Sequence, residues 1–175
     1  MTGRAILAAV TLGLAASLPL QAQAGYSFAG IDGGTIDLAG FAGQPVLVVN
    51  TASQCGFTPQ YDDLQALQDR YGDRGLVVLA VPSDDFNQEL ADESQVKEFC
   101  AVNFDLTLPM TEITPVTGAA AHPFYRWLSA EHGFEPAWNF NKVLIGPKGE
   151  LVATWGSTTR PTSRAIVSQI EPLLN

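Results

Sequence analysis

The sequence predicts an α/β domain with a mixed central sheet flanked by helices, and three observations predict it. Two continuous apolar runs of strand length, 45–50 and 75–81, have a helical pattern between them, which implies a parallel crossover. Later, Val143-Leu-Ile145 and Leu151-Val-Ala-Thr-Trp155 flank Gly146-Pro-Lys-Gly149, the pattern of an antiparallel hairpin. Further helical stretches precede and follow that hairpin, enough to cover both faces of one sheet.

The elements follow in order. Residues 25–43 are rich in Gly, Asp and Ala, with short apolar alternation at Tyr26, Phe28, Ile36 and Leu38, and predict a small leading hairpin. Pro45-Val-Leu-Val-Val-Asn50 predicts a strand buried on both faces. Tyr61, Leu64, Leu67 and Tyr71 recur at helical spacing and predict a helix over about 59–72, closed by Asp73 to Gly75. Gly75 to Val81 is the second buried strand. Asp92 to Cys100 suits a helix with Ser94 as a candidate cap, and Asp105 to Met110 a short extended segment. Pro123 to Glu131 is helical, with Pro in the first turn and Phe124, Trp127 and Leu128 on one face. The last helix starts near Pro161, carries Ile166 and Ile170 on one face, and is ended or kinked by Pro172. The thioredoxin fold has this order of elements.

The chain has 175 residues, 46 % hydrophobic and 15 % charged, a balance that fits a globular core and argues against disorder. Residues 1–24 read as a cleaved secretory signal. Arg4 supplies the basic start, Ala5 to Leu20 a largely apolar run, and Ala22-Gln23-Ala24 the small residues that precede a cut after Ala24. The apolar run is short for a membrane span, and Pro19 interrupts it. The expected mature domain is 25–175, in the periplasm or secreted, without stable membrane insertion. Residues 1–24 hold one cation and no acid, so their removal takes the formal net charge from −9 to −10. So acidic a protein is not expected to bind nucleic acid or anionic membranes, and an anionic substrate is less natural.

Cys55 and Cys100 are the two cysteines. In an exported chain the default for such a pair is one structural disulfide. Cys55, however, stands in the loop Asn50-Thr-Ala-Ser-Gln-Cys-Gly-Phe-Thr58, between a buried strand and a helix. Free amides and positive potential at a helix start stabilise a thiolate, the nucleophilic form of cysteine. Gly56 is expected to let backbone approach the sulfur.

Asn-Thr-Ala-Ser-Gln-Cys-Gly-Phe-Thr resembles the signature around the peroxidatic residue of the glutathione peroxidase family. Val81-Pro-Ser-Asp-Asp-Phe-Asn-Gln-Glu89 is similar to that family's Phe-Pro-Cys-Asn-Gln-Phe-Gly-x-Gln-Glu loop, one residue shorter. Trp138-Asn-Phe-Asn-Lys142 is similar to its Trp-Asn-Phe-x-Lys block. The resemblance runs from about Pro45 to the end of the chain. It implies a thioredoxin-like fold and a catalytic tetrad of Cys55, Gln88, Trp138 and Asn139. Trp138 can only donate a hydrogen bond, and the two amides also carry donors. Donors around a sulfur favour its anion and stabilise charge on the departing peroxide oxygen. The implied reaction reduces hydrogen peroxide and organic or lipid hydroperoxides to water or alcohols through a Cys55 sulfenic acid.

Gln88 is the least secure member. The loop lacks one residue and the usual Pro-Gly, and an ungapped register would put Glu89 in the tetrad. A carboxylate beside a thiolate raises both pKa values, which favours Gln88. Cys100 matches the resolving cysteine of the thioredoxin-linked branch, which attacks the sulfenic acid and forms a disulfide that a thioredoxin-like protein reduces. Two other readings of Cys100 are an inert buried helix cysteine and a permanent disulfide with Cys55. The resemblance also implies a monomer, because the long assembly insertion before Trp138 is missing. The reductant is a thioredoxin-like protein or glutathione, and no cofactor is implied.

His122 and His132 are not spaced as a metal site. His122 reads as structural at a helix start and His132 as a solvated helix end. Trp127 and Trp155 read as core, and Lys142 as either a surface cation or a source of positive potential near Cys55. Two other function classes are open. An exported thiol–disulfide oxidoreductase usually carries Cys-x-x-Cys, but position 58 is Thr. A non-catalytic binding domain with a decayed site has only the shortened Gln88 loop in its favour.

Overall fold

The computed structural model describes residues 25–175; the expected signal segment, 1–24, lies outside them. The sheet has four strands in the order β4-β3-β5-β6, with β3 at Val46–Thr51, β4 at Val77–Pro82, β5 at Lys142–Ile145 and β6 at Leu151–Trp155. β3 and β4 pair in parallel from Val46↔Val77 to Thr51↔Pro82. β5 runs antiparallel to β3, and β6 antiparallel to β5 with a register shift between Leu144 and Ile145. This is the mixed sheet of a thioredoxin-like fold. A separate antiparallel pair, β1 (Ser27–Ala29) and β2 (Thr35–Asp37), is the expected leading hairpin.

Four α-helices cover the sheet: α1 at Gln60–Tyr71, α2 at Glu93–Phe104, α3 at Pro123–His132 and α4 at Arg164–Ile170. Every residue of β3 is buried because successive side chains enter opposite cores. Leu47 and Val49 join Tyr61, Leu64 and Leu67 of α1, Val96 and Cys100 of α2, and Ile166 and Ile170 of α4. Val46 and Val48 join Phe124, Trp127 and Leu128 of α3, with Phe28 and Leu38 of the hairpin region. Two covered faces explain why the run is apolar throughout instead of alternating.

Some boundaries differ from expectation. Asp92, not Ser94, caps α2: its Oδ1 accepts from Gln95 N at 3.0 Å, while the Ser94 hydroxyl donates to the same oxygen at 2.6 Å. α2 runs past Cys100 to Phe104 and stops at Asp105, whose φ of 48° breaks the helix. The segment after it meets the sheet at an isolated bridge, Ala80 to Met110. α4 starts at Arg164 because residues 161–163 turn before it, and Pro172 sits in the short 3-10 turn Glu171–Leu173 that follows it. His122 is structural, as read. Its Nδ1 accepts from Phe124 N at 3.2 Å, its Nε2 donates to Ser27 O at 2.9 Å, and its ring stacks on Phe28 at 3.9 Å.

Leu64 is fully buried beneath the sheet and Val102 is 76 % exposed on α2. Leu64→Ala is expected to cost about 2–5 kcal/mol of unfolding free energy. Val102→Ala should stay within about 0.5 kcal/mol of the parent. Urea denaturation of both variants checks this, and equal losses would contradict the packing described.

Candidate active site

Three loops meet at the carboxyl edge of β3 and β4: 52–59 after β3, 83–91 after β4, and 136–141 before β5. The first carries Cys55. Thr58 closes it into a compact turn: its Oγ1 accepts from Cys55 N at 3.0 Å and donates to Ala52 O at 2.9 Å, and its amide donates to Cys55 O at 3.0 Å. The turn places the Cys55 sulfur where the Phe57 amide donates to it at 3.4 Å, just before α1 begins. Cys55 is 7 % exposed. Thr58 was singled out from the sequence only as the residue that breaks a Cys-x-x-Cys pattern; its hydroxyl is what builds the turn. Gly56 serves differently from expectation. A Cβ there would meet nothing within 4 Å, so the space beside it is open and no backbone crowds it.

The second loop brings Gln88 to the first. Gln54 N donates to Gln88 O at 2.9 Å. The loop makes a tight turn, in which Asn87 N donates to Asp84 O at 2.9 Å and Asn87 takes a φ of 54°. Asparagine tolerates that conformation better than most side chains. Asp85 anchors the same loop, its Oδ2 accepting from the amides of Val116 at 2.6 Å and Thr117 at 2.8 Å. Gln88 Oε1 accepts from Asn139 Nδ2 at 3.1 Å, so these two expected site residues touch. The Glu89 carboxylate turns inward instead, and its Oε1 accepts from Ser53 N at 3.0 Å and Leu90 N at 2.8 Å.

The third loop carries Trp138 and Asn139. Asn139 is fully buried, and its Oδ1 has no hydrogen-bond partner. Trp138 is 41 % exposed and packs on Phe86 with ring centroids 5.3 Å apart. Its carbonyl accepts from Asn50 Nδ2 at 3.0 Å and Asn141 Nδ2 at 2.8 Å. Asn50 also accepts from Asn141 N through Oδ1 at 3.0 Å and from Phe140 N through its carbonyl at 2.6 Å. Asn50 and Asn141 were not among the residues expected from the sequence. The available signal was a buried amide side chain ending an otherwise apolar strand.

Cys100 lies in α2, in the core layer that also holds Cys55, and both are free thiols. Burial pushes the Cys100 thiol up to about 11; the Tyr61 hydroxyl opposes this and the Glu89 charge adds to it. Among the described residues no three His, Cys, Asp or Glu side chains converge as a metal site. An open depression borders the Cys55 turn, lined by Gly56, Phe57, Pro59, Gln60, Thr158 and Arg160.

Lys142 is not a surface cation: it is fully buried on β5. Its Nζ donates to Gln60 Oε1 at 2.5 Å and Ser157 O at 3.3 Å, at the start of α1. Burial lowers its pKa to about 8, against the opposing pull of Asp63. The Asp63 carboxylate itself is held by Arg160 at 2.7 and 2.9 Å.

Comparison with known proteins gives a family. The glutathione peroxidase family model matches residues 24–129. The chain is 41 % identical over 161 residues to hydroperoxy fatty acid reductase gpx1 of Synechocystis, covering 86 % of this chain and 94 % of that one. It is 43 % identical over 138 residues to glutathione peroxidase-like peroxiredoxin GPX5 of Chlamydomonas reinhardtii, covering 76 % and 84 %. Among solved structures, the apo form of Trgpx matches with a TM-score of 0.66 and 32 % identity over 88 % of this chain and 97 % of that one.

The buried lysine predicts a pH dependence. In the unfolded chain Lys142 titrates near ~10.4, the ordinary lysine value, and in the folded protein at about 8. Between those values the unfolded state binds more protons, so stability rises with pH. Relative to Lys142→Met, the parent should therefore gain stability as pH rises through that window. Denaturation midpoints of both proteins at each pH check this, and a constant difference between them would contradict it.

Proposed function

The chain belongs to the glutathione peroxidase family and is a cysteine-based peroxidase that reduces hydroperoxides; from that premise we propose that Cys55 is the attacking thiol and Cys100 the thiol that resolves it. The observation that supports this best is the junction of the three loops. Gln54 beside Cys55 is tied to Gln88, and Gln88 to Asn139, at the sheet edge where the Phe57 amide reaches the sulfur.

The Cys55 thiolate attacks one oxygen of the peroxide. An S–O bond forms, the O–O bond breaks, and the other oxygen leaves as alcohol or water once protonated. Gln88, Trp138 and Asn139 are the donors to the sulfur and to the charge on the leaving oxygen. The hydrogen bond of Asn139 to Gln88 orients both amides, and Trp138 is partly exposed beside them. The pairing of Gln88 with Asn139, and of Glu89 with backbone amides, supports Gln88 as the tetrad member.

The Cys55 sulfenic acid is then attacked by Cys100, which gives a disulfide and water, and a thioredoxin-like protein reduces the disulfide. The formal charge of −10 on residues 25–175 favours such a protein over anionic glutathione as the reductant. Substrates are hydrogen peroxide and organic or lipid hydroperoxides. The protein acts as a monomer, exported by residues 1–24 to the periplasm or beyond. Among the described residues no helix is long and apolar enough to cross a membrane.

Cys55→Ser should reduce peroxide consumption to the uncatalysed rate. Cys100→Ser should lose thioredoxin-coupled turnover while still forming one sulfenic acid per chain. Coupled assays with thioredoxin and with glutathione check both, and activity surviving Cys55→Ser rejects the mechanism. Protein recovered from outside the cytoplasm should begin at Gly25 on N-terminal sequencing.

A further inference from the structure

The loop after β6 is not one of the three that meet at Cys55, and the reaction proposed above gives it no part. It begins with a turn at 156–159, in which Thr159 N donates to Gly156 O at 3.2 Å. Ser157, half-buried in that turn, bonds to both sides of the site. Its hydroxyl donates to Asn139 O at 2.6 Å and accepts from Asn141 Nδ2 at 3.0 Å. Its carbonyl accepts from Gln60 Nε2 at 2.7 Å and from Lys142 Nζ at 3.3 Å.

These contacts form a continuous path from the sulfur to the 136–141 loop. Phe57 N donates to Cys55 Sγ at 3.4 Å, and Gln60 N donates to Phe57 O at 2.8 Å. The Gln60 side chain reaches Ser157 O, and Ser157 Oγ reaches Asn139 O. The Gln60 amide is itself fixed, because its Oε1 accepts from the buried Lys142 Nζ at 2.5 Å. Asn50 holds Trp138 O and the amides of Phe140 and Asn141, whereas the Asn139 carbonyl is held by Ser157. The Asn141 Nδ2 that reaches the Ser157 hydroxyl also donates to Trp138 O at 2.8 Å. One short side chain, able to donate and accept at the same oxygen, therefore braces the backbone of both Trp138 and Asn139.

We propose that Ser157 is a positioning residue of the peroxidase reaction, its hydroxyl setting where Trp138 and Asn139 stand relative to the Cys55 sulfur. This rests on Trp138 and Asn139 serving the leaving oxygen, as proposed above. Ser157 acts through them and touches no reacting atom. Donors aimed at developing charge work only at the right distance, so a small displacement of their loop costs rate. The thiolate depends on the other end of the path, on the turn and the Phe57 amide. Loss of the Ser157 hydroxyl should therefore separate two properties of Cys55: its reactivity as a thiolate and its reactivity toward peroxide.

The test compares two reactions of Cys55 at one pH. Sulfenic acid formation with one equivalent of hydrogen peroxide is followed by dimedone trapping and mass spectrometry. Alkylation by iodoacetamide is followed by peptide mapping; it uses the same thiolate but expels iodide and needs no donor to a leaving oxygen. Ser157→Ala removes the hydroxyl, leaves the carbonyl bonds to Gln60 and Lys142, and adds no bulk. Sulfenic acid formation should slow about tenfold, while alkylation keeps the parent rate. Ser157→Thr, which retains a hydroxyl, should recover most of the lost rate. Sulfenic acid formation at the parent rate in Ser157→Ala overturns the proposal. Equal slowing of both reactions would assign Ser157 to the upkeep of the thiolate and also overturns it, as does a Ser157→Thr variant as slow as Ser157→Ala. If Asn139→Ala itself forms sulfenic acid at the parent rate, the tetrad reading fails first, a result distinct from any of these.

Discussion

The site depends on Asn50. It is the last residue but one of β3, and its buried amide must be satisfied because water cannot reach it. Both ends of that amide are spent on the 136–141 loop, on Trp138 O and Asn141 N, and the Asn50 carbonyl takes Phe140 N. One side chain therefore locks the strand that leads to Cys55 against the loop that carries Trp138 and Asn139. Phe140 accepts a φ of 59° in the process, a strained conformation for an aromatic residue that the surrounding hydrogen bonds hold in place.

The same logic governs the rest of the edge. Asn139, Lys142 and Glu89 are buried polar groups, and each is placed by backbone or side-chain partners from a different loop. Ser157 gathers several of them. Its hydroxyl donates to Asn139 O at 2.6 Å and accepts from Asn141, and its carbonyl accepts from Gln60 at 2.7 Å and from Lys142. These bonds tie the 136–141 loop to the start of α1 and to β5 through one residue. Among the described residues, buried atoms without a hydrogen-bond partner remain on Thr51, Ser53, Tyr61, Glu89, Tyr125, Asn139 and Ser163.

Much of the fold was legible in advance because hydrophobic periodicity is a local signal. Val46 to Val49 had to be a doubly covered strand, and Tyr61, Leu64, Leu67 and Tyr71 a buried helical face. The position of Cys55 between them followed from order along the chain. Caps and helix ends were less legible. Asp92 and Ser94 are both capping residue types two positions apart, and geometry decides between them. The shortened Gln88 loop read as a defect. In the structure it is a tight turn at Asn87, tied by Asp85 to the amides of Val116 and Thr117, more than thirty residues away in the chain.

The sequence by itself determined the α/β class, the strand–turn–helix setting of Cys55 and the family whose motifs surround it, because each is carried by residues close together in the chain. Tertiary structure alone decided which of Gln88 and Glu89 meets Asn139, and that Lys142 is buried against Gln60. Those are contacts across 51 to 82 positions, and no local pattern encodes where a side chain ends when two such segments fold together.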